Sequence, residues 1–174
     1  MPKRSLTIAP RDDFKPGIGR FVAMMEDVRT RTKKYCQSLT AEQLSWHPCE
    51  KVESIGTLLL HIAAAECSYI REDIARKPMG EEWKIAFPIR FGMKQIEGRE
   101  LEYYINKLNE VRKESFRTLA GLTDDDLLRV VSPLDCGESD VDIEYTIEWL
   151  LYHLVEHEAH HKGQIAVMKR LLPI

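Results

Sequence analysis

From Glu144 to Leu172 the chain reads EYTIEWLLYHLVEHEAHHKGQIAVMKRLL. Apolar residues recur in it with the period of a helix: Ile147, Leu150, Leu151, Leu154, Ile165, Met168 and Leu172 fall on one side. A helix with one long apolar stripe must bury that stripe against other helices, so this segment points to a bundle. Four of the six histidines lie between His153 and His161. At about 100° per residue, His161 lands inside the stripe and His157 on its shoulder, while His153 and His160 point further round. His157 and His161, four apart, therefore project from consecutive turns on nearly one side. A lone histidine on such a face is ordinarily a hydrogen-bonded or surface side chain. Two facing inward need compensation for their burial, and an i, i+4 pair is the simplest two-point clamp a helix offers a metal ion.

The remaining pattern is helical as well. A helix is predicted from about Ile18 to Ser38, with Phe21, Met24, Met25 and Val28 inward. Thr40 and Gln43 form a capping-box signature for a short turn, and Trp46-His47-Pro48 connects it onward. Ser54 is the expected N-cap of a second helix running to about Arg76. On it Ile55, Leu58, Leu59, Ile62 and Tyr69 form the stripe, His61 sits at the edge and Glu66 near the centre. A glutamate so placed is costly unless paired or protonated, so Glu66 is either a supporting partner of a site or on a misjudged face. Residues 81–96 read as a loop with one helical turn. A third helix is predicted over about 98–119, with Leu101, Tyr104, Ile105, Leu108, Val111 and Phe116 inward. A short helix follows to about Leu128, and 132–143 reads as an acidic loop. Residues 1–16 form an extended lead-in to a single domain covering 1–174. The segment from Ser54 to Glu66 can be laid on Thr146 to Glu158, pairing Glu66 with Glu158, which is also central on its stripe.

Composition excludes several classes. A net charge of −3 gives no footprint for nucleic acid. No apolar run is long enough for a membrane span, and the N-terminal segment lacks the apolar core of a secretory signal, so a cytoplasmic location is expected. Cys36, Cys49, Cys67 and Cys136 have no CxxC spacing and read as free thiols, Cys67 as core packing.

The segments LTAEQLSWHP (39–48), SIGTLLLHIAAAE (54–66) and EHEAHHKGQI (156–165) together resemble the DinB-like family of small metal-binding helical proteins. The resemblance covers roughly residues 17 to 172. It implies an all-α four-helix bundle with a long crossover connection, often homodimeric, and a divalent metal held by three histidines: His61 from the second helix, His157 and His161 from the last. Three neutral imidazoles leave an open coordination position, the pattern of a catalytic site. Zinc is the first expectation, with nickel or another first-row ion compatible with three nitrogen donors. The family includes transferases and isomerases that use bacillithiol, mycothiol or glutathione. The expected function is thus a thiol S-transferase in which the metal holds a small thiol as thiolate for attack on an electrophile. A metal-dependent hydrolase or isomerase on the same site is the alternative, and a non-enzymatic metal-binding dimer the third. Glu66 and Glu158 are the candidate catalytic residues, to orient a ligand imidazole or accept a proton. Arg90, Lys94 and Lys162 could meet anionic groups of the thiol, and His153 or His160 would have to turn inward to close the site.

Overall fold

The computed structural model describes residues 7–133 and 143–173. Five α-helices carry the fold: α1 (Pro16–Cys36), α2 (Ala41–Ser45), α3 (Ile55–Cys67), α4 (Leu101–Leu119) and α5 (Ile147–Leu171). The four long ones form the bundle, and α2 is a single capped turn. Residues 7–15 are a non-helical lead-in. Pro16 opens α1 where its missing N–H costs nothing, and the next two backbone N–H groups are capped from a distance by Asp124 Oδ1, at 2.9 Å from Gly17 N and 3.3 Å from Ile18 N. The capping box of α2 forms in both directions, Gln43 N donating to Thr40 Oγ1 at 3.2 Å and Thr40 N to Gln43 Oε1 at 3.1 Å. Ser54 caps α3 and Thr146 caps α5, each accepting at 3.2 Å from the N–H three residues on. The two segments that echo one another in sequence thus start their helices in the same way.

In three places the structure departs from the sequence pattern. Past Cys67 the second helix does not stay α but widens into a π-helical segment, Ser68–Ile74, closed by Arg76 at φ 55°. The wider turn brings Tyr69 and the buried Asp73 against α5's approach, where the Tyr145 hydroxyl donates to Asp73 Oδ2. The last helix starts at Ile147 rather than Glu144, because Tyr145–Thr146 pairs antiparallel with Val130–Val131 in a two-stranded ribbon. The third helix begins at Leu101, three residues later than its periodicity suggests. Residues 81–86 form a short 3-10 helix within the expected loop. Most of the predicted acidic loop, with Cys136, lies outside the described residues.

Around the bundle α1 packs on α5, α5 on α3, α3 on α4, and α4 back on α1. The consecutive long helices α1 and α3 therefore face each other across the middle, as do α4 and α5, so the chain crosses the bundle between Cys36 and Ile55 and again between Leu119 and Ile147. The apolar core has two parts. One gathers Leu44, Leu59, Leu108 and Ile165, the other Val22, Met25, Leu119, Ile147 and Leu150. Tight contact between α3 and α4 depends on Gly56. A Cβ there would stand 2.5 Å from the hydroxyl oxygen and 2.6 Å from the Cζ of Tyr104, whose side chain is fully buried. Gly56→Ala is expected to lose about 1–3 kcal/mol of stability through overpacking, read as a lower midpoint in urea at unchanged slope.

Between the two core parts lies a charged layer. Arg29 (α1), Glu66 (α3), Arg112 (α4) and Glu158 (α5) are all buried and contact one another. Arg29 donates to Glu158 Oε1 and to Glu66 Oε2, each at 2.8 Å, and to the Leu108 carbonyl at 3.0 Å. Arg112 forks onto Glu66 at 2.7 and 3.0 Å and donates to the Met25 carbonyl at 2.9 Å. Its Nη2 also lies 3.6 Å from Glu158 Oε2. Each long helix contributes one charge, so the quartet fixes the axial register of all four.

Candidate metal centre

Every residue of α3 except His61 is buried. His61 is half-buried and faces α5, where His157 and His161 stand one turn apart. The three imidazoles meet through the same ring atom. His157 Nε2 lies 3.2 Å from His61 Nε2 and 3.1 Å from His161 Nε2. Among the described residues these three form the group of His, Cys, Asp or Glu side chains whose donor atoms converge.

The spacing fits an ion. With metal–nitrogen bonds of about 2.0–2.1 Å, nitrogens at right angles about the metal stand about 2.9 Å apart and tetrahedral ones about 3.4 Å. Both Nε2–Nε2 separations fall between those limits. The donor set, three neutral nitrogens and no thiolate, suits a divalent first-row ion.

The rings are also held in the right form. Gln164 Oε1 can only accept, so at 2.6 Å it takes the Nδ1–H of His161 and leaves that ring's Nε2 lone pair free. His61 Nδ1 is buried without an aligned hydrogen bond, although the nearby Ala86 backbone favours the charged ring. Phe87 packs edge-on against His61 at 5.0 Å and closes one side. Burial, then the neighbouring His161, lowers the His61 pKa to about 4. Burial, followed by repulsion from the surrounding histidines, lowers His157 to about 3. His161 is shifted down as well, chiefly by burial. All three are neutral at pH 7, the state in which imidazole binds a metal.

The other candidates take different places. His153 stacks on Trp149 at 4.9 Å with its Nδ1 3.1 Å from Glu156, and His160 is exposed, so neither joins the cluster. Glu66 and Glu158 do not join it either; their carboxylates face Arg29 and Arg112. Full burial would raise the Glu66 pKa, but the two guanidiniums, with hydrogen bonds from Arg112 and Ser115, hold it at about 2. The residue that holds an imidazole of the cluster is instead Gln164, one turn past His161. The sequence signals for the missing partners were Arg29, four after Met25 on the stripe of α1, and Arg112, four after Leu108 on that of α4.

The comparisons with known proteins agree with this architecture. The sequence profile of the DinB superfamily matches residues 24–165. YizA of Bacillus subtilis is 30% identical over 159 residues, covering 84% of this chain and 82% of that protein. Among solved structures, a DinB-like protein from Bacillus cereus superposes with a TM-score of 0.65 at 20% identity, over 87% of this chain and 90% of its own. YfiT from Bacillus subtilis, described as a probable metal-dependent hydrolase with an unusual four-helix bundle topology, gives 0.66 at 20% identity, over 98% and 92%. Four long helices in this order, three convergent histidines and a profile match across most of the chain lead to one assignment: the protein belongs to the DinB superfamily.

Proposed function

We propose that the protein is a divalent-metal-dependent enzyme, with zinc the first choice of ion and nickel the second, and that it transfers a small organic thiol onto an electrophile. The observation that carries the metal assignment is the convergence of three Nε2 atoms with separations of 3.1 and 3.2 Å. His61, His157 and His161 would hold the ion. Bound there, it would supply Lewis acidity and an open position at which a thiol or a water becomes nucleophilic near neutral pH.

The chain's own residues set the conditions. Gln164 fixes the tautomer of His161. Phe87 keeps water from one edge of His61. The protein's buried thiols are not candidate nucleophiles, since burial pushes Cys36 up to about 11 and Cys67 up to about 12. On this reading the transferred thiol comes from a cosubstrate. Hydrolysis by water is the second reading, favoured by the likeness to YfiT.

The test is a conjugation assay of metal-loaded protein with several small cellular thiols and an aromatic electrophile. Thiol-dependent conjugate, absent in His157→Ala, is the expected result. Turnover of an ester or amide without thiol would replace the first reading with the second. A fully loaded protein inert in both assays would count against an enzymatic role.

A further inference from the structure

Next to the three histidines lies a cleft of about 980 Å3, at the upper end of the range for small-molecule sites. The three histidines do not line it, but its wall includes residues that neighbour them. Leu58 on that wall lies one helical turn before His61, Gln164 holds His161, and the His160 ring stands 5.2 Å from that of His161. Much of the remaining wall is carbon. Ile89, Val167 and Leu171 line it and are 48%, 55% and 55% exposed, so large apolar side chains face the opening uncovered. The charges sit with them: Lys51 and Arg90 against a single carboxylate, Glu53. Arg90 is braced over the Phe91 ring at 5.6 Å.

We infer that this cleft binds an amphiphilic organic anion, its apolar chain or ring system lying along Val167 and Ile89 and its anionic group met by Arg90 and Lys51. This rests on the functional reading above and names the chemistry of the second substrate: the molecule that reacts at the histidines carries an extended apolar part. A small molecule is supported over a partner surface because the wall runs on to Gln164, the residue that holds His161. An apolar tail would cover the exposed carbon, and the excess of cationic over anionic side chains would favour an acid over a neutral molecule.

The test uses binding rather than turnover. The full-length, metal-loaded protein is titrated with anilinonaphthalene sulfonate, then with decanoate and decanol as competitors, while its mass is followed by sedimentation. Saturable binding of one probe per chain, displaced by decanoate, is expected. Val167→Asp, a change at an exposed position outside the metal ligands, should weaken the probe at least about tenfold with metal content unchanged. Arg90→Gln should weaken decanoate and leave decanol unaltered. His157→Ala should lose metal yet keep the probe, so that failure of the metal reading and failure of the cleft reading give different results. Absence of saturable binding, or equal affinity in Val167→Asp, overturns the proposal. So does a wild-type dimer that Val167→Asp dissociates with a gain in probe binding, which would show that a second copy covers the cleft. Equal loss of decanoate and decanol in Arg90→Gln would overturn the assignment of the anion.

Discussion

Arg29→Met is expected to lower the stability of the fold by about 3–5 kcal/mol, the largest effect anticipated for a single substitution in the bundle. The guanidinium bonds both Glu66 and Glu158 in a layer that water does not reach. Removing it leaves two carboxylates facing the one remaining guanidinium, Arg112. The cost comes from the uncompensated buried charge more than from the lost attraction. It follows that replacing all four members by methionine should be less damaging than Arg29→Met alone, since no charge is then stranded. Urea unfolding of the two variants distinguishes this from a simple sum of lost bonds.

The same layer sets the response to acid. The folded-state pKa of Glu66 is depressed to about 2 from an ordinary 4.5. Its contribution to stability is therefore complete above about pH 4.5 and is lost as pH falls from there through about 2, because the unfolded chain takes up the proton first. In Arg29→Met the Glu66 carboxylate has one guanidinium fewer to hold it ionised and protonates more readily. The stability gap between wild type and variant should consequently narrow on acidification over that interval. A gap that stays constant from neutral pH to pH 3 would contradict the network as described.

His61→Ala is expected to reduce metal affinity by more than about 100-fold, beyond the range typical of losing a supporting partner. His61 is the residue that α3 contributes to the histidine cluster, and two histidines of α5 alone would hold an ion only weakly. Gln164→Leu leaves all three nitrogens in place but frees the His161 ring to rotate and change tautomer, so a smaller loss of about 10–100-fold is expected. Competition with a chromophoric chelator measures both. Equal losses in the two variants would mean that Gln164 ligates the ion or that His61 does not.

Much of the architecture could be read from the chain because its signals are local. The capping box at Thr40, the N-cap at Ser54 and the helical stripes all act within a few residues, and each appears where the pattern places it. The histidines could be singled out for a similar reason: their spacing on α5 puts two rings on one side of one helix. The convergence of His61 with them is a long-range fact, and it reached the sequence reading through the family resemblance. The partners of the glutamates were harder to see. Glu66 and Glu158 were recognisable as charges in apolar stripes, but their neutralisation depends on which helix lies opposite. Arg29 and Arg112 come from α1 and α4, 37 and 46 residues from Glu66. The π-helical widening after Cys67 and the Val130–Tyr145 ribbon arise from contacts between distant segments, which period counting does not register.

X-ray absorption at the edge of the bound ion, on protein loaded with one divalent metal per chain, tests the central assignment most directly. Three imidazole nitrogens at about 2.0–2.1 Å, with the remaining positions filled by light atoms outside the histidines, are predicted, and the ion itself should be lost from His157→Ala. Sulfur in the coordination shell, or an imidazole count unchanged by that substitution, would contradict the account.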